Sequence, residues 1–280
     1  MRCVDSSGLL RRGGSVFEYG SPHGGSWLDL LTARGLHVAP ADEPADVVLD
    51  CFGLMHAANQ RAALAQRVAR LADDGVLLLQ FHSLAAILRG AQWNAVRHGH
   101  FAYYSTPALL SMLAVAGLGA DTAWRFDLYG GTVLLAARRA GQPDRSVLDL
   151  GREEVAAGVR SAQRVASLQQ DATRSTDALQ AFLQEAKTAG RMVLGYGAAS
   201  RAVVLLNRAG IGPDLLPAVA DAAPGKHDRR IPGVGIPVVT PEQLVTARPD
   251  LVLLFVPDLL EEVRRILPGV ELSGGRWVLL

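Results

Sequence analysis

Two glycine-rich turns constrain the fold of this 280-residue chain more than any other feature. The first, Glu18-Tyr19-Gly20-Ser21-Pro22-His23-Gly24, follows an apolar stretch that begins at Ser15. The second, Gly195-Tyr196-Gly197-Ala198-Ala199-Ser200, follows Val193 and Leu194. Glycines at the end of a strand let the backbone approach a ligand closely, and the N-terminus of the next helix favours negative charge. Each turn therefore predicts a strand that leads into a helix, as in nucleotide-binding folds.

Strand-like and helical segments alternate around both turns, a rhythm that predicts parallel sheets covered by helices. In the first half, strands are predicted at Ser15–Tyr19, Leu36–Ala39, Asp46–Cys51 and Val76–Phe81, helices at Ser26–Arg34, Asn59–Ala72 and Thr106–Ala116, and a closing hairpin at Thr122–Asp127 and Gly131–Ala137. In the second half, strands are predicted at Arg191–Tyr196, Leu216–Ala220, Asp250–Val256 and Arg276–Leu280, and helices at Ser200–Ala209, Pro241–Ala247 and Leu259–Ile266.

The stretch between the two halves has a helical pattern. Arg152–Ala189 contains no proline and repeats apolar residues at helical spacing, which predicts one or two long helices. The sequence therefore predicts an α/β protein in three parts: a first α/β domain at residues 1–140, a helical connector at residues 141–190 and a second Rossmann-like α/β domain at residues 191–280.

Composition excludes several classes of protein. The formal net charge is only +1, so no basic surface for nucleic acid is expected. No apolar run reaches the roughly 20 residues of a membrane helix, and the first residues lack the apolar core of a signal peptide. We expect a cytoplasmic protein with no nucleic-acid or membrane partner; a homo-oligomer stays open. Cys3 and Cys51 match neither a disulfide framework nor a zinc spacing, so no metal is expected.

Several motifs in order resemble those of a known family. The first turn resembles the first motif of class I AdoMet-dependent methyltransferases. The later segments that share this resemblance are Asp46–His56, Trp93–Ser105, Tyr129–Thr132, Gly195–Arg201, Leu205–Asn207 and Ile231–Gly233. Together they resemble the C-methyltransferases of deoxysugar biosynthesis, from about residue 15 to the end. The resemblance implies a class I methyltransferase domain followed by a second Rossmann-like domain, AdoMet (S-adenosyl-L-methionine) as the cofactor, and a small biosynthetic substrate.

The chain also departs from that family. Its members begin with a small cysteine-ligated zinc domain and a helical segment that covers the active site, whereas this sequence starts almost directly at the first turn. Pro22-His23 stands where the family has asparagine-aspartate, and Arg97-His98-Gly99-His100 stands where it has tyrosine-histidine-glutamate-histidine. Tyr129 replaces a histidine.

The resemblance assigns candidate roles to individual residues. The cofactor would contact Glu18, Gly20, Ser21, Gly24 and His56, with Asp42 or Glu43 at the ribose hydroxyls. His100 occupies the position of the family's proposed general base, and His98 and Tyr129 are the other catalytic candidates. The substrate candidates are Arg97, Tyr103, Tyr104, Ser200, Arg201 and Lys226. The histidines could equally be exposed loop residues, and the tyrosines could be packing residues.

Three functions stay open at this point. The leading one is methylation of a carbon atom, which needs a base to generate an enolate, and histidine suits that transfer because its pKa lies near neutrality. In the second, AdoMet is itself the substrate and is cyclised or fragmented with release of methylthioadenosine. In the third, the protein binds AdoMet without catalysis. Gly195, Gly197 and Asp221 alone would suggest a dinucleotide, but Ser200 replaces the third glycine.

Overall fold

The computed structural model describes residue 4, residues 7–21 and residues 24–279. These residues form two compact units, one within residues 1–92 and 98–165 and one within residues 93–97 and 166–280. The α/β class that the sequence predicts is confirmed by the two sheets described below. The predicted domain limits at residues 140 and 190 stay a prediction.

The first unit contains a mixed six-stranded sheet in the order β2-β1-β3-β4-β6-β5. Its strands are β1 (Ser15–Tyr19), β2 (His37–Val38), β3 (Ala45–Cys51), β4 (Leu71–His82), β5 (Gly119–Phe126) and β6 (Thr132–Arg138). β1 to β4 run parallel, while β6 runs antiparallel to both β4 and β5. The predicted parallel sheet with a closing hairpin is therefore present. β4 begins five residues earlier than the predicted strand at Val76–Phe81.

The strand order of this sheet creates a topological switch point between β1 and β3. β2 pairs with one side of β1 and β3 pairs with the other, so the chain reverses its direction of winding at β1. Tyr19 lies opposite Asp50, and Asp50 lies opposite Leu79, which aligns the carboxyl ends of β1, β3 and β4. Ligands of open α/β sheets bind at such a switch point, outside the carboxyl ends of the strands.

The first unit also contains helices, several of which begin at polar capping residues. They are α1 (Leu28–Thr32), α2 (Gln60–Ala69), α3 (Leu84–Arg89), α4 (Thr106–Val115), α5 (Arg145–Ala156) and α6 (Ala162–Ala166). The side chains of Asn59, Ser83 and Ser105 accept backbone N–H bonds at the starts of α2, α3 and α4, as helix N-caps do. α5 lies inside the predicted helical connector at residues 141–190, and it packs on β5 and α4.

The second unit contains a five-stranded parallel sheet in the order β11-β10-β7-β8-β9. Its strands are β7 (Val193–Tyr196), β8 (Val219–Ala220), β9 (Val238–Val239), β10 (Leu251–Leu254) and β11 (Arg276–Val278). Its helices are α7 (Leu168–Thr188), α8 (Ser200–Arg208), α9 (Pro241–Thr246), α10 (Leu260–Ile266) and α11 (Gly269–Leu272). None of the helices in the described ranges has both the length and the apolar character needed to cross a membrane.

The glycines of the second turn are required by packing in this sheet. A Cβ atom at Gly195 would lie 2.8 Å from side-chain atoms of Phe255 and Val219. Gly197 has a φ of +94°, and a Cβ there would lie 3.0 Å from Val256. Close approach and a left-handed backbone both demand glycine. The fold therefore explains these two glycines without a ligand.

Candidate active site

The first glycine-rich turn is held by Glu18, which lies one residue before the end of β1. Its Oε1 accepts a hydrogen bond from the backbone N–H of Trp27 at 2.9 Å, and its Oε2 accepts one from Ser26 Oγ. Both carboxylate oxygens are thus used at the start of α1. Glu18, predicted to contact the cofactor, shapes the turn that would do so.

Around Gly20, at the carboxyl end of β1, the described residues leave open space. A Cβ atom at Gly20 would meet no atom of the described residues within 4 Å, and Gly20 lies outside the left-handed region of φ. Gly24 has a φ of +76°, so glycine is required there by the backbone. Ser21 accepts a backbone hydrogen bond from Gly24 at 3.0 Å, while Pro22 and His23 lie outside the described residues.

Asp42 and Glu43 lie in the turn after β2. Both are exposed, and the backbone N–H of Glu43 donates to the Pro40 carbonyl at 3.3 Å. β2 has only two residues, so its carboxyl end stops at the level of Val16 in β1. A ribose-binding role for either carboxylate stays a prediction.

Asp50, which the sequence reasoning missed, organises the end of β3. Its Oδ2 accepts from Arg67 Nε at 2.7 Å, and its Oδ1 accepts from the Leu54 backbone N–H at 3.1 Å. A Cβ at Gly53 would lie 2.9 Å from Oδ1, so glycine leaves room for the carboxylate. The Arg67 guanidinium also lies 4.0 Å from the centre of the Tyr19 ring. An acidic residue within an apolar strand was the available sequence signal.

Three predicted residues from two segments of the chain meet beside β3. His56 ends the short 3-10 helix Leu54–His56, and its ring lies edge-on to His100, with the ring centres 4.5 Å apart. His100 Nδ1 lies 2.9 Å from Tyr103 Oη. We call His56, His100 and Tyr103 the histidine cluster.

The loop that carries His100 is anchored by its backbone. The N–H groups of Phe101 and Ala102 both donate to the Met55 carbonyl, at 2.9 and 3.3 Å. His98 is exposed, and Gly99 has a φ of +91°, so this segment turns instead of running extended. The described contacts bring His100 to His56 and Tyr103, and they do not bring His98 into the cluster.

Tyr104 and Tyr129 occupy different environments. Tyr104 is buried, packs edge-on against Phe81 and has a hydroxyl with no hydrogen-bond partner among the described residues. Burial raises the pKa of Tyr104, so its hydroxyl stays protonated. Tyr129 is 46% exposed, has a φ of +54° and packs edge-on against Phe52, which places it at the surface.

Glu154 is a second polar residue that the sequence reasoning missed. It is fully buried on α5, where Oε1 accepts from Ser83 Oγ at 3.0 Å and Oε2 accepts from the Thr106 backbone N–H at 2.5 Å. Burial raises the pKa of Glu154. Since Ser83 also forms a parallel bridge with Tyr104, Glu154 ties the end of β4 to the segment that follows the histidine cluster.

The described residues provide no group of histidine, cysteine and carboxylate side chains that could hold a metal ion. Cys51 is buried, and burial raises the pKa of its thiol to about 12. The thiol is therefore protonated at neutral pH and unsuited to act as a nucleophile. Cys3 lies outside the described residues.

The predicted substrate contacts of the second unit fall into two groups. Ser200 is exposed at the start of α8, and burial lowers the pKa of the following Arg201, with a further contribution from the positive charge of Arg97. Lys226 is instead used within its own turn, since its Nζ lies 2.8 Å from Asp221 Oδ2. The other oxygen of Asp221 accepts from the Ala223 backbone N–H at 2.8 Å. These contacts leave Asp221 poorly placed for a ribose.

The sequence resemblance is confirmed by a family comparison. A family model described as the C-methyltransferase C-terminal domain matches residues 127–280, more than half of the chain. The chain belongs to this C-methyltransferase family. This chain is 25% identical over 217 residues to C-methyltransferase NovU of Streptomyces niveus. The match covers 75% of this chain and 51% of that protein. The chain thus spans about half the length of the curated relative that it matches.

Solved methyltransferase structures resemble the same chain more distantly. An O-methyltransferase family protein from Burkholderia thailandensis has 16% identity and a TM-score of 0.36, and the match covers 50% of this chain and 56% of that one. Magnesium protoporphyrin IX methyltransferase from Synechocystis has 13% identity and a TM-score of 0.34, covering 49% and 78%. These structures are only distantly similar to this chain, and its α/β class follows from the strand order of its own two sheets.

Proposed function

We propose that the protein is an AdoMet-dependent methyltransferase that methylates a carbon atom of a small sugar-like or keto substrate, with His100 as the general base. The observation that carries this proposal is the histidine cluster beside the carboxyl end of β3. Family membership and the relative named a C-methyltransferase support the same reaction class.

The residues around the first turn fit AdoMet. Gly20 leaves room at the switch point of the sheet, Glu18 holds the turn in place, and Asp42 and Glu43 are exposed carboxylates beyond β2. Gly20, Ser21 and Gly24 would adjoin the cofactor, with His56 on the neighbouring strand end. When bound, AdoMet supplies an electrophilic methyl group.

The histidine cluster provides the proton transfer that methylation at carbon requires. The Nε2 atom of His100 would accept a proton from a substrate carbon next to a carbonyl group, and that carbon of the resulting enolate would be the electron-rich atom to which bound AdoMet supplies its methyl group. Tyr129 lies at the surface of the same unit, where its hydroxyl can contact the substrate. The other predicted substrate contacts are Tyr104, Arg97, Ser200, Arg201 and Lys226. The ammonium group of Lys226 already donates a hydrogen bond to Asp221.

The test measures products and binding together. Purified protein is incubated with AdoMet alone and with AdoMet plus a panel of nucleotide-linked keto-deoxysugars and small keto acids, and products are followed by mass spectrometry. We expect S-adenosylhomocysteine and a singly methylated acceptor to appear together. His100→Gln should abolish both while calorimetry shows unchanged AdoMet binding, and the matched control His37→Gln, an exposed histidine on β2, should leave turnover unaltered.

Two results would overturn the proposal. Release of methylthioadenosine without an acceptor would make AdoMet the substrate. Full turnover by His100→Gln would exclude His100 as the group that accepts the substrate proton.

A further inference from the structure

The hydroxyl group of Tyr103, predicted to contact the substrate, is instead in hydrogen-bond contact with the imidazole of His100. The hydroxyl oxygen lies 2.9 Å from Nδ1 of His100, and the two rings lie 5.4 Å apart, centre to centre, at 58°. Tyr103 is half-buried and follows the two residues whose N–H groups are fixed on the Met55 carbonyl. The hydroxyl is therefore held against one particular nitrogen of the imidazole by a short, anchored segment.

The choice of nitrogen decides what the imidazole can do. A neutral histidine carries its proton on one ring nitrogen only, and the hydrogen bond made by one nitrogen determines the state of the other. If Nδ1–H donates to Tyr103 Oη, then Nε2 is the unprotonated nitrogen and can accept a proton. If the tyrosine hydroxyl donates to Nδ1, then Nε2 carries the proton and cannot act as a base.

We propose that Tyr103 is a positioning residue: its hydroxyl oxygen accepts a hydrogen bond from Nδ1–H of His100 and so keeps Nε2 available as the base. This inference rests on the proposed function for its catalytic meaning. The same bond persists after proton transfer, because the imidazolium still donates from Nδ1 to Tyr103. The substrate proton resides on Nε2, and the Nδ1 proton does not move.

His56, at the end of the 3-10 helix after β3, contacts the His100 ring from outside the loop that carries His100. Its ring meets His100 edge-on at 88°, which restricts rotation of the His100 ring about its χ2 angle. Among the described contacts of the His100 ring, the titratable groups are His56, on the 3-10 helix after β3, and Tyr103, on the loop of His100 itself. A change in the pH profile caused by substituting Tyr103 must therefore be distinguished from the contribution of His56.

Nuclear magnetic resonance of protein labelled with nitrogen-15 histidine tests the inference without a substrate. The spectrum of His100→Gln identifies the signals of His100. In the unaltered protein at a pH where His100 is neutral, we expect the proton on Nδ1. Tyr103→Phe removes only the hydroxyl and should shift the population toward the Nε2–H form, with an unchanged unfolding transition. A predominantly Nε2–H ring in the unaltered protein would overturn the inference, as would an unchanged tautomer in Tyr103→Phe.

Kinetics supply the second measurement, with the acceptor found by the product assay. Tyr103→Phe should lower kcat/KM by at least about tenfold, since a general base contributes about 10²–10⁴-fold and only part of the population would stay competent. The acidic limb of the kcat/KM profile should move to lower pH, because the imidazolium loses an acceptor. His56→Gln fixes the share of His56 in that limb. An unmoved limb in Tyr103→Phe would contradict the inference.

The two proposals fail in different ways. If His100→Gln retains full turnover while Tyr103→Phe still shifts the tautomer, then the general-base role fails and the tautomer assignment stands. If His100→Gln is inactive and Tyr103→Phe leaves both tautomer and pH profile unaltered, then only the positioning role of Tyr103 is wrong.

Discussion

The carboxylate of Asp50 and the guanidinium of Arg67 form a buried ion pair: Oδ2 and Nη2 lie 2.7 Å apart, and the side chains are only 1% and 8% exposed. A charge buried in this way is tolerated because its partner and the Leu54 N–H satisfy it. The pair therefore fixes the strand end from which the His56 turn departs.

Arg67→Met should destabilise the protein strongly, because it leaves the Asp50 carboxylate buried without a cation. We expect the free energy of unfolding to fall by about 3–5 kcal/mol, measured by urea denaturation at neutral pH. The double change Asp50→Asn with Arg67→Met should recover part of that loss. Arg139→Met provides the control, since its 3.8 Å pair with Asp73 is exposed and should contribute less than about 1 kcal/mol. Equal losses in Arg67→Met and Arg139→Met would contradict the expectation.

Gly20→Ala separates ligand binding from folding. Because a Cβ at this position meets no atom of the described residues within 4 Å, the unfolding transition should not change, whereas a methyl group placed in the proposed cofactor space should weaken AdoMet binding. Calorimetric titration should show at least about a tenfold higher Kd, equivalent to about 1.4 kcal/mol. Gly151→Ala, within α5, also meets no neighbour and should leave affinity unaltered. Equal AdoMet affinity in Gly20→Ala and the unaltered protein would place the cofactor elsewhere.

Gly195→Ala should act on the fold of the second unit. The added Cβ would lie 2.8 Å from Phe255 and Val219 side chains, and such overpacking costs about 1–3 kcal/mol of the free energy of unfolding. Gly212→Ala is the control, because nothing lies within 4 Å of its Cβ position. Urea denaturation followed by circular dichroism checks both. Similar urea midpoints for the two variants would contradict this expectation and show that the sheet accommodates the added methyl group at Gly195.

Glu154→Gln should change how stability depends on pH. A carboxyl group whose pKa is raised by burial binds its proton more tightly in the folded state, so its contribution to stability is lost as pH rises from its ordinary value of 4.5 through the raised value. In Glu154→Gln this decline should disappear from urea midpoints measured across that window. Glutamine retains an acceptor for the Thr106 N–H.

Glu153 provides the control, because its pKa is shifted in the opposite direction to that of Glu154. The hydrogen bond from Arg125 lowers the pKa of Glu153, so its contribution is present above 4.5 and is lost as pH falls. Glu153→Gln should therefore flatten the acidic side of the profile. If both variants changed the same side, the assignment of the buried carboxyl to Glu154 would be wrong.

The sequence predicted strands and turns well because each depends on local pattern. Apolar runs that end in glycine located β1 and β7, and the hairpin formed by β5 and β6 followed from two strands with a short turn. Resemblance to a family named His56 and His100, and the fold brought these two histidines together.

The remaining features depend on tertiary packing that no local pattern encodes. Glu153 and Glu154 are adjacent acids on an amphipathic helix, and only the docking of α5 on α4 buries one and exposes the other. Tyr103 and Tyr104 are likewise adjacent, and the anchored loop turns one toward His100 and the other toward Phe81. Lys226 looked available for an anion, and its pairing with Asp221 could not be read from spacing.

The Met55 carbonyl, which accepts from the N–H groups of both Phe101 and Ala102, gives the loop that carries His100 a particular freedom. Main-chain atoms form the attachment, so it does not depend on which side chains the loop carries. Substitutions at His98 and Phe101, both exposed, can alter the surface offered to an acceptor while the loop stays fastened beside His56. Under the proposed function, this loop is the place to diversify in order to change which acceptor is methylated.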